Sequence, residues 1–175
     1  MFEYFAFVEE SAAKKYRLCL VAIPVEKLAE TRKTMQTLRL KGQKRIHMQK
    51  ESDSRRRQIL STILGMDDWE CLILESRSAH LPDTVARQHL LILASTLKIW
   101  GSISNLVIEE SNDRARDKET LAWILSNSTH KIDYRFLTSS QDECLWIADA
   151  LAWAFSKGGE HRVKVRERIQ LIVGP

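Results

Sequence analysis

Cysteine, glycine and proline are scarce in this chain of 175 residues, which has three cysteines, six glycines and three prolines. The odd number and wide spacing of Cys19, Cys71 and Cys144, with no Cys-x-x-Cys pair, argue against structural disulfides and against a zinc site. The low glycine and proline content, with no dominant residue type, excludes collagen-like and low-complexity chains. The composition therefore predicts a folded chain with a packed core.

A membrane-spanning run is also missing, because the apolar stretches 89–95 and 144–155 are shorter or more interrupted than the roughly 20 residues a transmembrane helix needs. The first residues lack the basic region of a signal peptide and are typical of a strand instead. We therefore expect a soluble, cytoplasmic protein with no membrane partner, folded as one domain over residues 1–175.

Positive charge is concentrated in one segment, although the formal net charge is only +4. Residues 32–57 contain ten Lys and Arg against two acidic residues, which leaves the rest of the chain net acidic. Such a segment favours an RNA or DNA partner, because each Lys or Arg contact to a phosphate releases condensed counterions. A solvated loop and helix face is the alternative. The candidate nucleic-acid contacts are Lys41, Lys44, Arg45, Arg55 and Arg56.

The hydropathy pattern predicts alternating strands and helices. Two aromatic and β-branched runs, at 4–9 and 16–24, predict a β-hairpin at the start of the chain. Helices are predicted at 25–40, 53–64, 82–100, 113–125 and 141–156, and further strands at 44–49, 69–75, 103–109 and 131–137, while 161–173 fits either type. This order predicts an α/β domain with a mixed sheet.

Carboxylates stand out where the elements are otherwise apolar. Asp149 is the one charged residue among the twelve from Cys144 to Phe155, in a helix that is apolar all round. Because burying an ionised carboxylate costs several kcal/mol, we expect Asp149 to have a partner: an Arg, a set of N–H donors or a metal ion. Three predicted strands also end in acids, at Glu9, at Glu75 and at 109–110. Acids gathered at strand ends beside a helix acid suit Mg²⁺ or Mn²⁺.

Short motifs along the chain resemble a known family. Residues 7–11 (Phe-Val-Glu-Glu-Ser) resemble the Val-Asp-Glu-Ser-Gly start, and residues 145–154 the late Leu-x-x-Ala-Asp helix, of the uncharacterised domain of unknown function 3800 family. Residues 40–52 resemble a Lys-Gly-x-x-Lys-hydrophobic-His segment of its bacterial members, and residues 108–117 a strand ending in Glu-Ser that runs into an Arg- and Asp-bearing helix. Glu9 stands where the family has Asp.

The resemblance implies an RNase H-like fold, with a mixed sheet that opens with a β-hairpin and is flanked by helices. It also implies a divalent-metal-dependent nuclease that hydrolyses RNA or DNA, with Glu9 and Asp149 as core ligands of Mg²⁺ or Mn²⁺. Glu51 and Glu110 are the next candidate ligands. His47 would lie beside them as proton shuttle or phosphate contact, the alternative being a histidine bonded to backbone at a strand edge.

Two other functions stay open on the sequence alone. One is a catalytically degenerate module that binds nucleic acid or a protein partner, a second copy of the chain included. The other is a structural protein with no nucleic-acid role. Arg114, Arg116 and Asp117 follow the candidate acid Glu110. One interpretation places them along the same cleft; we favour the other, that these three are solvated helix residues.

Overall fold

The computed structural model describes residues 3–77, 80–96, 103–129 and 131–174, of which the side chains at 95 and 96 are left aside. Its six strands are β1 (Tyr4–Ser11), β2 (Arg17–Pro24), β3 (Glu70–Glu75), β4 (Ile103–Glu109), β5 (Asp133–Leu137) and β6 (Ile169–Val173). Its helices are α1 (Leu28–Thr37), α2 (Asp53–Leu64), α3 (Asp83–Thr96), α4 (Arg114–Ser126), α5 (Cys144–Lys157) and α6 (Gly159–Arg166).

The strands form one mixed sheet in the order β5-β4-β1-β2-β3-β6. The β1–β2 hairpin and the β2–β3 pair are antiparallel, whereas β1–β4, β4–β5 and β3–β6 are parallel. This arrangement confirms the predicted mixed sheet that opens with a hairpin. It also places β1 in the middle of the sheet, so its carboxyl end is enclosed on both sides.

Side chains of β1 alternate between two hydrophobic layers, as the period of a strand requires. Phe7 packs in the layer that contains α5, and Ala6 and Val8 pack in the layer that contains residues of α3 and α4. α5 is buried along most of its length, because it contacts β1 and β2 below it and α1, α2 and α6 around it. The apolar circumference of this helix predicted that central position.

Two sequence predictions need correction. Residues 44–49 are not a strand: they form an extended connection that ends in a 3-10 turn, Met48–Lys50. Ile46 and Met48 alternate because both side chains are buried against the core, and none of the described strands pairs with this segment. The segment 161–173, which fitted either type, contains the end of α6 and then β6. The predicted end of the third helix, near residue 100, lies outside the described residues.

A buried ion pair joins α3 to α4. Arg87 donates hydrogen bonds of 2.8 to 3.0 Å to both carboxylate oxygens of Asp117, and the side chains are 3% and 0% exposed. Arg87 also donates to Glu10 at 2.9 Å. The expectation that Asp117 is solvated is therefore wrong, because α4 turns this residue toward α3, where Arg87 neutralises it.

Across the described part of the chain, no helix has the length and apolar character that crossing a bilayer requires.

Removing one partner of the α3–α4 pair should destabilise the fold strongly. We expect Asp117→Ala to lower the free energy of unfolding by about 3–5 kcal/mol, because the buried Arg87 loses three hydrogen bonds and its remaining anionic partner is the partly exposed Glu10. Glu110→Ala, which removes the partly exposed pair with Arg114, should cost at most about 1 kcal/mol. Urea unfolding of both variants checks this, and equal losses would contradict it.

Candidate metal centre and basic strap

Two acids meet at the carboxyl end of the parallel pair β1–β4. The register places Phe7 beside Val107 and Val8 beside Ile108, so Glu9 and Glu109 follow at the same level of the sheet. Phe7 and Val107 both belong to the α5 layer, and the alternation of side chains directs the two acids to that same face. The two carboxyl groups are close enough for Glu109 to raise the pKa of Glu9.

The carboxyl group of Glu9 is buried and incompletely satisfied. Glu9 is 8% exposed, and its Oε2 has no hydrogen-bond partner among the described residues. Burial raises the pKa of Glu9 to about 11, and the neighbouring Glu109 carboxyl group, followed by the charges of Asp149 and Glu10, acts in the same direction. At neutral pH, Glu9 in the protein alone therefore carries a proton.

Asp149 approaches the same end of the sheet from α5. Its Oδ2 accepts a 2.9 Å hydrogen bond from the backbone N–H of Met48, and Nδ1 of His47 lies 3.6 Å from the same oxygen. Among the three kinds of partner expected for this carboxylate, the structure provides an N–H donor. The candidate residues Asp149 and His47 are therefore in contact, and the negative charge of Asp149 also acts on Glu9.

The connection between α1 and α2, residues 40–51, lies across these acids, and we call it the basic strap. Buried side chains of Ile46 and Met48 anchor it to the core. Arg45 directly precedes the anchor Ile46. Its Nη1 lies 3.5 Å from Oε1 of Glu109 and donates a hydrogen bond to the hydroxyl of Ser139. The strap thus brings a cation to the acid that neighbours Glu9.

A cavity of about 450 Å³ opens in the strap beside the acids. The cavity has a basic rim and one buried acid, Glu51. The exposed Lys44 and Lys50 line the cavity together with Arg45 and His47. Its lining is Leu40, Gln43, Lys44, Arg45, His47, Lys50, Glu51, Ser52 and Arg55. Lys41, the remaining candidate contact in the strap, is exposed at the adjoining turn.

Glu51 and Glu110 have other partners than the Glu9 carboxyl. Glu51 accepts hydrogen bonds from Gln43 and, at 3.4 Å, from Arg55. Glu110 follows the end of β4 and pairs with Arg114 of α4. The acid that joins Glu9 is instead Glu109, which the sequence prediction placed at a strand end but did not choose as a ligand. The alternation of β4 puts Glu109 on the face of Val107, but only the pairing with β1 shows that Glu9 shares that face.

Two of the predicted nucleic-acid contacts hold the strap in place. Arg55 donates to the carbonyl of Leu38 and to Gln58, in addition to Glu51. Arg56 donates to the carbonyls of Met48 and Gln49 at 2.9 Å each, and its guanidinium lies 4.8 Å from the centre of the Trp153 ring. Both guanidinium groups are therefore committed to protein partners, and the cations that line the cavity besides Arg55 are Lys44, Arg45 and Lys50.

The donor chemistry at Glu9 fits a hard divalent cation. Carboxylate oxygens are the ligands that Mg²⁺ and Mn²⁺ prefer, and the Glu9 oxygen without a partner lies among the charges of Glu109 and Asp149. As they stand, no three His, Cys, Asp or Glu side chains within the described ranges form a group that could hold a metal ion. Binding would therefore require the removal of the Glu9 proton and a shift of neighbouring carboxylates.

Solved ribonucleases H share this architecture. Ribonuclease H2 from Pyrococcus horikoshii OT3 aligns over 94% of this chain and 76% of its own, with a TM-score of 0.56 and 13% identity. A chain of the PCNA:RNase HII complex from Archaeoglobus fulgidus aligns over 95% and 78%, with a TM-score of 0.57 and 11% identity. Bst-RNase HIII in complex with Mn²⁺ aligns over 86% and 50%, with a TM-score of 0.51 and 12% identity.

A scan of protein-family models and a search of curated proteins both find no match. The identities to the solved structures are low, so the likeness shows the fold alone. The fold is α/β and RNase H-like, with a mixed sheet flanked by helices, as predicted. Membership of the domain of unknown function 3800 family stays a prediction.

The raised pKa of Glu9 predicts that stability falls with rising pH. Between the unfolded pKa near 4.5 and the folded pKa of about 11, the folded chain holds a proton that the unfolded chain has lost. In EDTA, the free energy of unfolding should fall from about pH 5 to pH 8, by up to roughly 1.4 kcal/mol per pH unit for one proton. Urea unfolding across this range tests the slope.

Glu9→Gln should remove that slope, because the amide does not titrate, and it should leave the fold intact. Glu70→Gln changes an exposed acid at the opposite end of β3 and should leave the slope in place. The same pH dependence in Glu9→Gln and in the unchanged chain would show that Glu9 is not the titrating group.

Proposed function

We propose that this chain is a divalent-metal-dependent nuclease that hydrolyses phosphodiester bonds in RNA or DNA, with Mg²⁺ or Mn²⁺ as cofactor. The observation that carries the proposal is the buried Glu9 oxygen without a partner, at the carboxyl end of a central strand and among two further acids. Such a group is costly to bury without a compensating cation or donor. The likeness to ribonucleases H, one of them in complex with Mn²⁺, supports the same chemistry.

Glu9, Glu109 and Asp149 would hold the cation, and Glu9 would lose its proton to do so. When bound, Mg²⁺ or Mn²⁺ supplies activation of water and stabilisation of the leaving oxygen of a phosphodiester. The backbone N–H of Met48 fixes the Asp149 carboxylate, and the imidazole of His47 lies beside the same oxygen. The lysines of the basic strap would bind the phosphates of the nucleic acid.

A second candidate function is a nucleic-acid-binding module that has lost catalysis. It is favoured by the Arg45 guanidinium, which already supplies a positive charge beside Glu109, and by the lack of a ready three-residue metal group in the described ranges. Such a module would bind nucleic acid in a salt-dependent way that is indifferent to divalent metal.

Cleavage of labelled RNA, DNA and RNA–DNA hybrid in Mn²⁺, compared with EDTA, tests the proposal. We expect metal-dependent cleavage that Glu9→Gln and Asp149→Asn each reduce by roughly 10²-fold or more, because a misplaced reactive group costs about that much. Glu70→Gln should cleave like the unchanged chain, since it alters an exposed acid far along the sheet. Circular dichroism of each variant verifies the fold.

Cleavage that survives both substitutions would remove these acids from the mechanism. If no substrate is cut, and binding falls with salt but does not respond to Mn²⁺, the second candidate function replaces the first.

A further inference from the structure

Arg45 belongs to the acidic cluster and to the basic cavity at the same time. Its Nη1 lies 3.5 Å from the Glu109 carboxylate, and its side chain also lines the strap cavity with Lys44 and Lys50. The Arg45 side chain is 41% exposed, whereas that of Glu109 is 23% exposed. Arg45 thus lies between the proposed cation site and the proposed phosphate site.

The contact between Arg45 and Glu109 is loose for an arginine and a carboxylate. A guanidinium group can bind a carboxylate or a phosphate through two parallel hydrogen bonds at about 2.7–2.9 Å. Here one nitrogen approaches one oxygen at 3.5 Å, and its other partner is the neutral hydroxyl of Ser139. Arg56, in contrast, is fixed by two carbonyls and the Trp153 ring. Arg45 can therefore exchange Glu109 for a stronger anion.

We propose that Arg45 couples nucleic-acid binding to metal binding. In the protein alone, its guanidinium neutralises Glu109 and opposes a divalent cation at Glu9 and Glu109. A backbone phosphate of a nucleic acid that enters the strap cavity draws Arg45 away and frees the carboxylates for the cation. The inference rests on the proposed function and deepens it, because it names the residue through which the two ligands favour each other's binding.

Linkage makes this coupling reciprocal, so it can be measured from either ligand. Calorimetric titration of the full chain with Mn²⁺ alone is the first arm. We expect Arg45→Gln to bind Mn²⁺ roughly tenfold more tightly than the unchanged chain, since the competing charge is gone. Lys44→Gln is the matched control: it removes the same charge from the same cavity, but its exposed ammonium makes no ion pair with Glu109. It should change Mn²⁺ affinity by less than about twofold.

Fluorescence anisotropy with a short labelled single-stranded DNA, with and without Mn²⁺, is the second arm. Both variants should bind the DNA more weakly, because each loses one phosphate contact. Mn²⁺ should increase the DNA affinity of the unchanged chain and of Lys44→Gln more than that of Arg45→Gln, because Arg45→Gln lacks the residue that couples the two ligands.

The outcomes separate this inference from the proposed function. Equal Mn²⁺ affinities for Arg45→Gln and Lys44→Gln, with measurable binding in the unchanged chain, would overturn the coupling and leave the metal site. A complete lack of Mn²⁺ binding in all three folded proteins would overturn the proposed function and the coupling together. Unfolding temperatures measured beside the titrations verify that each variant is folded.

Discussion

Burial of the Glu9 carboxyl group between the sheet and α5 is the constraint on which the other features of the site depend. β1 lies in the middle of the sheet and α5 covers it, so the end of this strand is shielded from water. The charged groups that raise its pKa are further acids, and a proton is what keeps Glu9 neutral in the protein alone. Any cation that reaches this point replaces that proton and relieves the repulsion among the carboxylates.

The two acids at the end of β1 lie on opposite faces of the sheet, and their carboxyl groups differ in whether hydrogen-bond partners satisfy them. Glu10, on the α3 face, receives hydrogen bonds from Tyr16 and Arg87, and Arg87 in turn satisfies Asp117. That network is complete, as expected of a structural ion pair. Glu9, one residue earlier on the α5 face, is left with an oxygen that has no partner among the described residues. The contrast gives one face a structural ion pair and supports the ligand binding proposed for the other.

Local sequence patterns predicted most of the fold, whereas the site depends on contacts between segments that are distant in the sequence. The hairpin and the all-apolar α5 follow from periodicity, which is a property of neighbouring residues. The choice between Glu109 and Glu110 required the register of β1 against β4, which short-range pattern does not contain. The alternation of Ile46 and Met48 with polar residues predicted a strand. A connection whose alternate side chains are buried without pairing to a sheet shows the same sequence pattern. The burial of Asp117 was not predicted, because its partner, Arg87, lies on another helix.

The number of protons released when Mn²⁺ binds tests the central claim most directly. Calorimetry at pH 7 in two buffers of different ionisation enthalpy measures this number for the unchanged chain. A neutral, buried Glu9 predicts release of about one proton per bound Mn²⁺, and none from Glu9→Gln if that variant still binds the ion. Mn²⁺ binding without proton release from the unchanged chain, or equal release from Glu9→Gln, would contradict the account.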